Sequence, residues 1–384
     1  MANNRPVIGI DVTSALMQGG GIGRYTRELI QALVRSDKSA DYRLFSAHPP
    51  ETPPVPDPLP EAPNATHCPA PLGERWLYRL WYRARLPLPV QWVTGKLDLF
   101  HSPDFVLPPV FGNIPTLLTV HDLSFVHYAG VYPEKLVRYL NSVVPRSVRR
   151  ATHIVADSAE TRNDLITLWG VPPQKITVLY SGVGQEFQPV TRKSELTAVR
   201  QKYRIGDKPY LLSVGTVQPR KNYSMLIRAF AAIAHDWPHQ LVIAGGKGWL
   251  YDDILAEIER QGATGRVQFL GFVDDADLPA LYSDAALFLF PSLYEGFGLP
   301  LLEAMACGVP CLSSDASCLP EVAGNAAVLL SPHDQEAWSR AIHRLLLDAP
   351  RRSELVGLGA VQAHRFTWHR AARELRALYG EMLG

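Results

Sequence analysis

Residues 287–303 read Leu-Phe-Leu-Phe-Pro-Ser-Leu-Tyr-Glu-Gly-Phe-Gly-Leu-Pro-Leu-Leu-Glu, and this stretch decides the fold. The apolar run Leu287 to Phe290 suits a strand buried on both faces, as in the middle of a parallel sheet. Pro300 fits the first turn of a helix and Gly308 fits its end, so a glycine-containing loop carries the chain from strand to helix. The same strand-loop-helix grammar recurs on either side. Val309 to Leu312 follows as a strand, and Val267 to Leu270, Gln240 to Ala244 and Tyr210 to Val214 precede it, with helix-sized segments between.

An earlier series repeats the pattern at Val7 to Val12, Tyr42 to Ser46, Leu97 to Phe100, Thr116 to Val120, His153 to Ala156 and Ile176 to Leu179. The helix after its first strand carries Ile22, Tyr25, Leu29 and Leu33 on one face. This alternation predicts an α/β protein of two successive Rossmann-like halves, each a parallel sheet covered by helices. The seam falls in the polar stretch Gln185 to Asp207, giving domains at 1–184 and 185–367, and a last helix within 368–384 is expected to pack back on the first half. From Pro49 to Pro71 prolines are too dense for helix interiors or central strands, so an irregular surface excursion is expected.

A chain of 384 residues suits two such domains, and 38 basic against 37 acidic residues leave a net charge of +1. No bulk field favours nucleic acid, so any anion site must be local. Cys68, Cys307, Cys311 and Cys318 form no C-x-x-C pair, which suggests reduced thiols in the cytoplasm. No basic segment leads into a long apolar one at the N-terminus, and no apolar run approaches the roughly 18 residues of a membrane span.

Ligands of open α/β sheets collect beyond the carboxyl ends of strands, which directs attention to five places. Gly19-Gly20-Gly21-Ile22-Gly23 follows the first strand, where unobstructed amides can approach a phosphate, or where glycine simply lets strand and helix pack. Its spacing is not that of a dinucleotide fingerprint, and Ala47-His48 stands where an acidic residue would be needed. His121-Asp122 leaves Thr116 to Val120; the histidine can donate to a sugar hydroxyl or shuttle a proton, or be structural. Asp104, in His101-Ser102-Pro103-Asp104, occupies the corresponding place after another strand. Arg220 and Lys221, after Tyr210 to Val214, can neutralise a diphosphate or be solvated surface cations.

The fourth place is the opening stretch itself. Amides of Gly298 and Leu299 at a helix N-terminus form an anion site, while Glu295 and Glu303 can accept hydrogen bonds from vicinal hydroxyls. Beyond Val267 to Leu270 comes the fifth, Gly271-Phe272-Val273, whose main chain can read a base edge. Asp275-Ala276-Asp277 superficially matches a metal-binding D-x-D, but its place just before a helix suits caps and first-turn acids, so no metal is expected.

With His121-Asp122, Gly215 to Asn222 and Glu295-x7-Glu303, the chain resembles the retaining family 4 glycosyltransferases of the GT-B fold over nearly its whole length. Ser292 to Pro300 is similar to the bacterial mannosyltransferase-like branch. The resemblance implies two facing Rossmann-like domains with a cleft between them and no cofactor beyond the donor, a nucleotide diphosphate sugar, with GDP-mannose favoured over uridine donors. It gives the donor diphosphate to Arg220, Lys221 and the amides of Gly296, Phe297, Gly298 and Leu299, with Gly21 to Gly23 reaching it from across the cleft. Glu295 would hold sugar hydroxyls, Glu303 the ribose and Val273 the base. His121 matches the histidine that contacts the donor sugar; Asp104 and Asp122 fall on the acceptor side. At Ser181-Gly182-Val183-Gly184 the family commonly shows Asn-Gly-Val-Asp, so the hydrogen bonds of those two side chains are not carried over.

The implied reaction moves a hexose to a saccharide or lipid-linked saccharide with retention, the departing phosphate taking the acceptor proton on the same face. In Glu74 to Trp92 a helix would place Arg75, Arg79 and Arg83 on one face and Leu77, Leu80, Trp81 and Ala84 on another. That pattern suits peripheral contact with the inner face of a membrane, or packing of the apolar stripe on the first domain. A sugar-nucleotide hydrolase, a phosphorylase-like enzyme and a non-enzymatic nucleotide- or glycan-binding module share parts of the logic and are separated by product analysis and turnover.

Overall fold

The structure, a computed structural model, describes residues 5–48 and 59–384. Among these, the first sheet contains β1 Val7–Asp11, β2 Asp41–Ser46, β3 Ala65–Pro69, β4 Leu99–Ser102, β5 Thr116–Val120, β6 His153–Ala156 and β7 Ile176–Val178, all parallel, in the order β3-β2-β1-β4-β5-β6-β7. The second contains β8 Tyr210–Val214, β9 Gln240–Ala244, β10 Val267–Gly271, β11 Leu287–Phe290, β12 Cys311–Ser314 and β13 Ala327–Leu330, in the order β10-β9-β8-β11-β12-β13. Every residue of β5 and β11 is buried, which is why those strands read as unbroken apolar runs. Strand order reverses between β1 and β4 and between β8 and β11, and such switch points open crevices at the carboxyl ends of the strands.

Contacts gather the chain into two compact units. The first comprises residues up to 123, Lys135–Gly182 and Trp368–Gly384; the second comprises Ser124–Glu134 and Val183–Thr367. The final helix Trp368–Leu383 belongs to the first, where it lies on helix Gly21–Ser36 and buries Ala371, Ala372, Leu375, Leu378 and Tyr379. Full burial of a leucine side chain such as Leu375 is worth about 1.5–3 kcal/mol. In the second unit Trp338, Leu226, Phe230 and Leu289 share one core cluster. Val183 and Thr367, the first and last residues of that unit's long segment, pair in a parallel bridge.

Three sequence expectations are revised here. Within the proline-rich stretch, residues 49–58 lie outside the described residues, but Ala65–Pro69 forms an edge strand on β2, in register from Tyr42↔Ala65 to Ser46↔Pro69. Pro69 ends that strand at the sheet edge, where a missing N–H breaks no ladder. Strand β13 was not anticipated, although Ala327-Val328-Leu329-Leu330 carries its apolar signal. A cut at 184 also puts residues 124–134 in the first half, whereas they pack with the second unit. There Trp249 donates from Nε1 to the Val131 carbonyl at 2.8 Å, and His127 stacks on Tyr294 with centroids 5.3 Å apart. No local periodicity reports such aromatic contacts.

Candidate functional site

The second unit builds its site from the loops after β8 and β11. Pro219–Lys221 forms a 3-10 turn closed by Asn222, whose side-chain amide donates to the carbonyls of Pro291 (3.1 Å) and Pro332 (2.7 Å). The Leu293 amide donates in turn to the Arg220 carbonyl at 2.9 Å, so the two loops are laced together. Across this lacing Arg220 donates to Glu295 Oε2 at 2.9 Å and to the Tyr294 carbonyl, while Lys221 Nζ donates to Glu295 Oε1 at 2.6 Å.

Glu295 is 6% exposed and Lys221 8%. Burial alone would raise the carboxyl, but the charges of Arg220 and Lys221 outweigh it and hold Glu295 down at about 2. These three groups sum to one positive charge in a dry setting, the electrostatic condition for receiving an anion. The resemblance implies separate tasks for the cations and the carboxylate; the structure joins them in one cluster.

Helix Leu299–Ala306 begins directly after this cluster, with Gly298 at its N-cap and Pro300 in its first turn. Gly298 has φ +95°, which favours glycine, and a Cβ there would press on the end of the Leu319 side chain, Cδ2 at 2.7 Å. In the first turn Pro300 has no N–H and Leu301 donates to the Gly298 carbonyl at 3.0 Å, which leaves the Leu299 amide at the helix end, next to buried Gly296 and to Phe297, whose ring packs edge-on against Phe366. Glu303, 2% exposed, accepts a 2.8 Å hydrogen bond from the Tyr282 hydroxyl. Val273 is buried just beyond β10, and its neighbour Phe272 is 61% exposed. Asp277 accepts from Lys202 Nζ (2.6 Å) and the Tyr203 hydroxyl (2.7 Å), and Asp274 accepts from the same lysine (2.7 Å). These acids serve a lysine and a tyrosine.

In the first unit His121 stands immediately beyond β5. Its Nδ1 donates to Asp157 Oδ2 at 2.6 Å and its Nε2 donates to the Pro103 carbonyl at 3.0 Å. Burial disfavours the charged ring, but Asp157, Asp104 and the Pro103 carbonyl outweigh it and raise His121 to about 9. With acceptors facing both nitrogens the charged ring is favoured, and both of its N–H groups are engaged inside the first unit. Asp104, whose carboxyl burial raises, accepts from the Phe105 amide at 2.6 Å, and Asp122 is half-buried after His121. His101 is a core residue: its ring contacts the Tyr379 hydroxyl (2.7 Å) and Thr119 Oγ1 (3.0 Å), and burial lowers it to about 3.

Gly21 opens helix Gly21–Ser36 in open space, whereas a Cβ on Gly23 would collide with the Gln18 carbonyl. Gly23 therefore serves close packing, the plainer of the two readings. Glu74 to Trp92 is not one helix: it is a short helix Glu74–Tyr78 and a π-helical turn Arg79–Arg83, with Arg85 in the left-handed region at φ +55°. Leu77 is buried and Trp81 packs near Phe45, while Arg75, Arg79, Arg83 and Trp76 are exposed. Among the described residues no helix is long and apolar enough to cross a membrane.

Two functional candidates escaped sequence reasoning although both follow the post-strand rule. Asp157 lies one residue beyond β6, and Asp11 ends β1, where burial pushes it to about 6 against hydrogen bonds from the Thr13 amide and hydroxyl.

The glycosyl transferases group 1 family matches residues 197–357, and Glycosyltransferase Family 4 matches residues 19–187. Over 360 residues the chain is 32% identical to the O-antigen chain mannosyltransferase B of Escherichia coli, covering 91% of this chain and 92% of that protein. The chain belongs to glycosyltransferase family 4. This glycosyltransferase is also 33% identical to a D-inositol 3-phosphate glycosyltransferase of Salinispora tropica, over 75% of its own length and 64% of the relative's. Its fold is similar to that of sucrose-phosphate synthase from Thermosynechococcus elongatus (TM-score 0.76, 22% identity, 98% and 99% of the two chains), and the expected GT-B class of two Rossmann-like parallel sheets holds.

Proposed function

We propose that this glycosyltransferase moves a mannosyl residue from GDP-mannose to a saccharide or lipid-linked saccharide, with retention at the anomeric carbon and without a metal, in the synthesis of a surface glycan. The observation that carries the reading is the buried Arg220–Glu295–Lys221 cluster beside the N-terminus of helix Leu299–Ala306. It offers positive charge and helix-end amides to a diphosphate, with Glu303 close in sequence for ribose hydroxyls. The Escherichia coli relative is named for mannose transfer, which favours mannose.

In the proposed step the bond from the anomeric carbon to the leaving phosphate oxygen breaks as the acceptor oxygen attacks the same face. The acceptor proton passes to that phosphate oxygen. Arg220 and Lys221 stabilise the charge growing on the leaving diphosphate, a contribution made before the reaction starts because both are already in place. His121 adds positive charge on the first unit.

The test is turnover with a panel of GDP- and UDP-sugars and a mannose-terminated alkyl glycoside, with the new linkage read by NMR. An α-linked mannoside formed from α-linked GDP-mannose supports the proposal; an inverted product, or transfer from UDP-sugars alone, replaces it.

Peripheral membrane contact at the inner face is part of the same proposal, supported by exposed Arg75, Arg79, Arg83, Trp76 and Trp92. Co-sedimentation with phosphatidylglycerol vesicles should exceed that with phosphatidylcholine and fall when the three arginines are replaced. Unchanged binding would discard the membrane contact.

A further inference from the structure

The function proposed for the first unit leaves two adjoining cavities unassigned. The smaller opens at the end of β1, lined by Asp11, Thr13, Glu74, Tyr78, Trp81 and Tyr82. The larger is a groove lined by Trp81, Tyr82, Arg85, Val143, Arg146 and Arg150, together with Ser147. Trp81 and Tyr82 form a wall common to both.

The two sides of that wall differ in chemistry. On one side are the carboxyls of Asp11 and Glu74, which accept hydrogen bonds from hydroxyl groups. On the other are three arginines, and among the described residues no acidic one lines their groove. Arg150 places its guanidinium by donating to the carbonyls of Leu107 (3.0 Å) and Pro108 (3.1 Å), an arrangement that fixes the side chain while leaving its charge uncompensated. Arg146 sits one turn before it on helix Glu134–Arg150, and like charges at that spacing repel. Complementing the helix dipole accounts for cations at this helix end, but not for Arg85, which comes from another element and adopts a left-handed backbone at φ +55°.

A second observation points to a ligand. The Tyr82 hydroxyl, on the shared wall, is buried and has no hydrogen-bond partner among the described residues, an unfavourable state unless something supplies the missing bond. Burial raises its phenol, and both Asp11 and Arg150 act on it electrostatically, so the hydroxyl lies within reach of both cavities' charges.

We propose that the Arg85–Arg146–Arg150 groove binds a phosphate or diphosphate group of the acceptor. This rests on the first unit being the acceptor unit, and it makes the acceptor a glycosyl phosphate or diphosphate rather than a neutral saccharide. Arginine forks suit phosphate oxygens, and the groove, about 360 Å³, has room for them, whereas the cavity at Asp11, about 20 Å³, has room for little more than a water.

Calorimetric titration of the full chain, saturated with GDP to occupy the donor site, tests the groove by itself with two probes, inorganic pyrophosphate and decyl diphosphate. Binding should persist under GDP, weaken steeply with added salt, and weaken at least tenfold in Arg85→Ala and in Arg146→Ala, whose side chains are exposed and leave the fold intact. Tyr82→Phe should weaken it severalfold. Equal affinity for the two probes identifies the phosphates of a soluble acceptor as the ligand, and much tighter decyl diphosphate binding identifies a lipid-linked one. No binding of either probe to the GDP-saturated wild type, or binding unaltered in both arginine variants, overturns the proposal. GDP binding is read in the same samples, so failure of the donor assignment shows separately.

Discussion

His121 and Asp157 stand one residue beyond the paired positions Val120 and Ala156 of adjacent strands, and the ring donates to the carboxylate at 2.6 Å. Because His121 is raised to about 9, the stability this pair contributes is complete below the ordinary histidine value of about 6.5 and is lost as pH rises through the folded value. In Asp157→Asn the buried ring loses its nearest counter-charge and keeps only Asp104 and the Pro103 carbonyl, so its charged form is favoured less. The variant should be destabilised by about 1–3 kcal/mol, the cost of an unmatched buried hydrogen bond, and should show a smaller decline than the wild type between neutral and alkaline pH. Thermal midpoints from pH 6 to 10 check this; an identical alkaline decline in both proteins would show that another group is responsible.

Glu295 gives the opposite sign. Held near 2, it contributes stability that is present above the ordinary glutamate value of about 4.3 and is lost as pH falls toward the folded value. Glu295→Gln should flatten that acid limb, and it strands Lys221 and Arg220 together in a buried setting, at a cost of about 3–5 kcal/mol. Removing Glu295 therefore costs folding stability as well as any ligand contact.

Arg220→Ala is the cleaner probe of catalysis, because Lys221 keeps Glu295 as its partner. Turnover should fall about 10²–10³-fold, equivalent to about 2.7–4 kcal/mol, with the circular dichroism spectrum unchanged. Near-normal rates in the folded variant would remove Arg220 from the machinery.

The fold was legible because central strands such as β5 and β11 are buried on both faces and so are spelled as apolar runs. The candidate site was legible at Arg220, Lys221, Glu295 and Glu303 because chemistry-bearing residues follow such runs. What was hidden depends on contacts between distant residues. The ion cluster needs Asn222 to tie its loop to Pro291 and Pro332, and no spacing encodes that lacing. Asp157 becomes visible only when the β5–β6 register puts it beside His121, and Arg85 meets Arg146 only after a π-helical turn redirects the chain.

The glycine-rich turn can be divided by two substitutions. A Cβ on Gly23 collides with the Gln18 carbonyl, so Gly23→Ala should overpack the turn and destabilise by about 1–3 kcal/mol. At Gly21 nothing lies within 4 Å, and alanine in a helix is favoured over glycine by up to about 1 kcal/mol. Gly21→Ala should then leave the thermal midpoint equal or higher. A rise in the donor KM with that stability intact would assign Gly21 to the ligand, and unchanged kinetics would leave the turn a packing device.

The donor nucleotide can be read without an acceptor. A ligand at a hundred times its dissociation constant stabilises the folded state by about 2.7 kcal/mol, so thermal protection by GDP, GDP-mannose, UDP and UDP-glucose ranks the bases directly. GDP and GDP-mannose should protect selectively. Tyr282→Phe removes the 2.8 Å hydrogen bond that orients Glu303 while keeping the carboxylate, whereas Glu303→Gln removes its charge. If Glu303 accepts from ribose hydroxyls, Glu303→Gln should lose most of the GDP protection and Tyr282→Phe a smaller part, while 2′,3′-dideoxy-GDP should protect wild type and Glu303→Gln alike. Equal protection of wild type by GDP and its dideoxy analogue would show that Glu303 does not read the ribose, and selective protection by UDP would move the donor to uridine sugars while keeping the transferase.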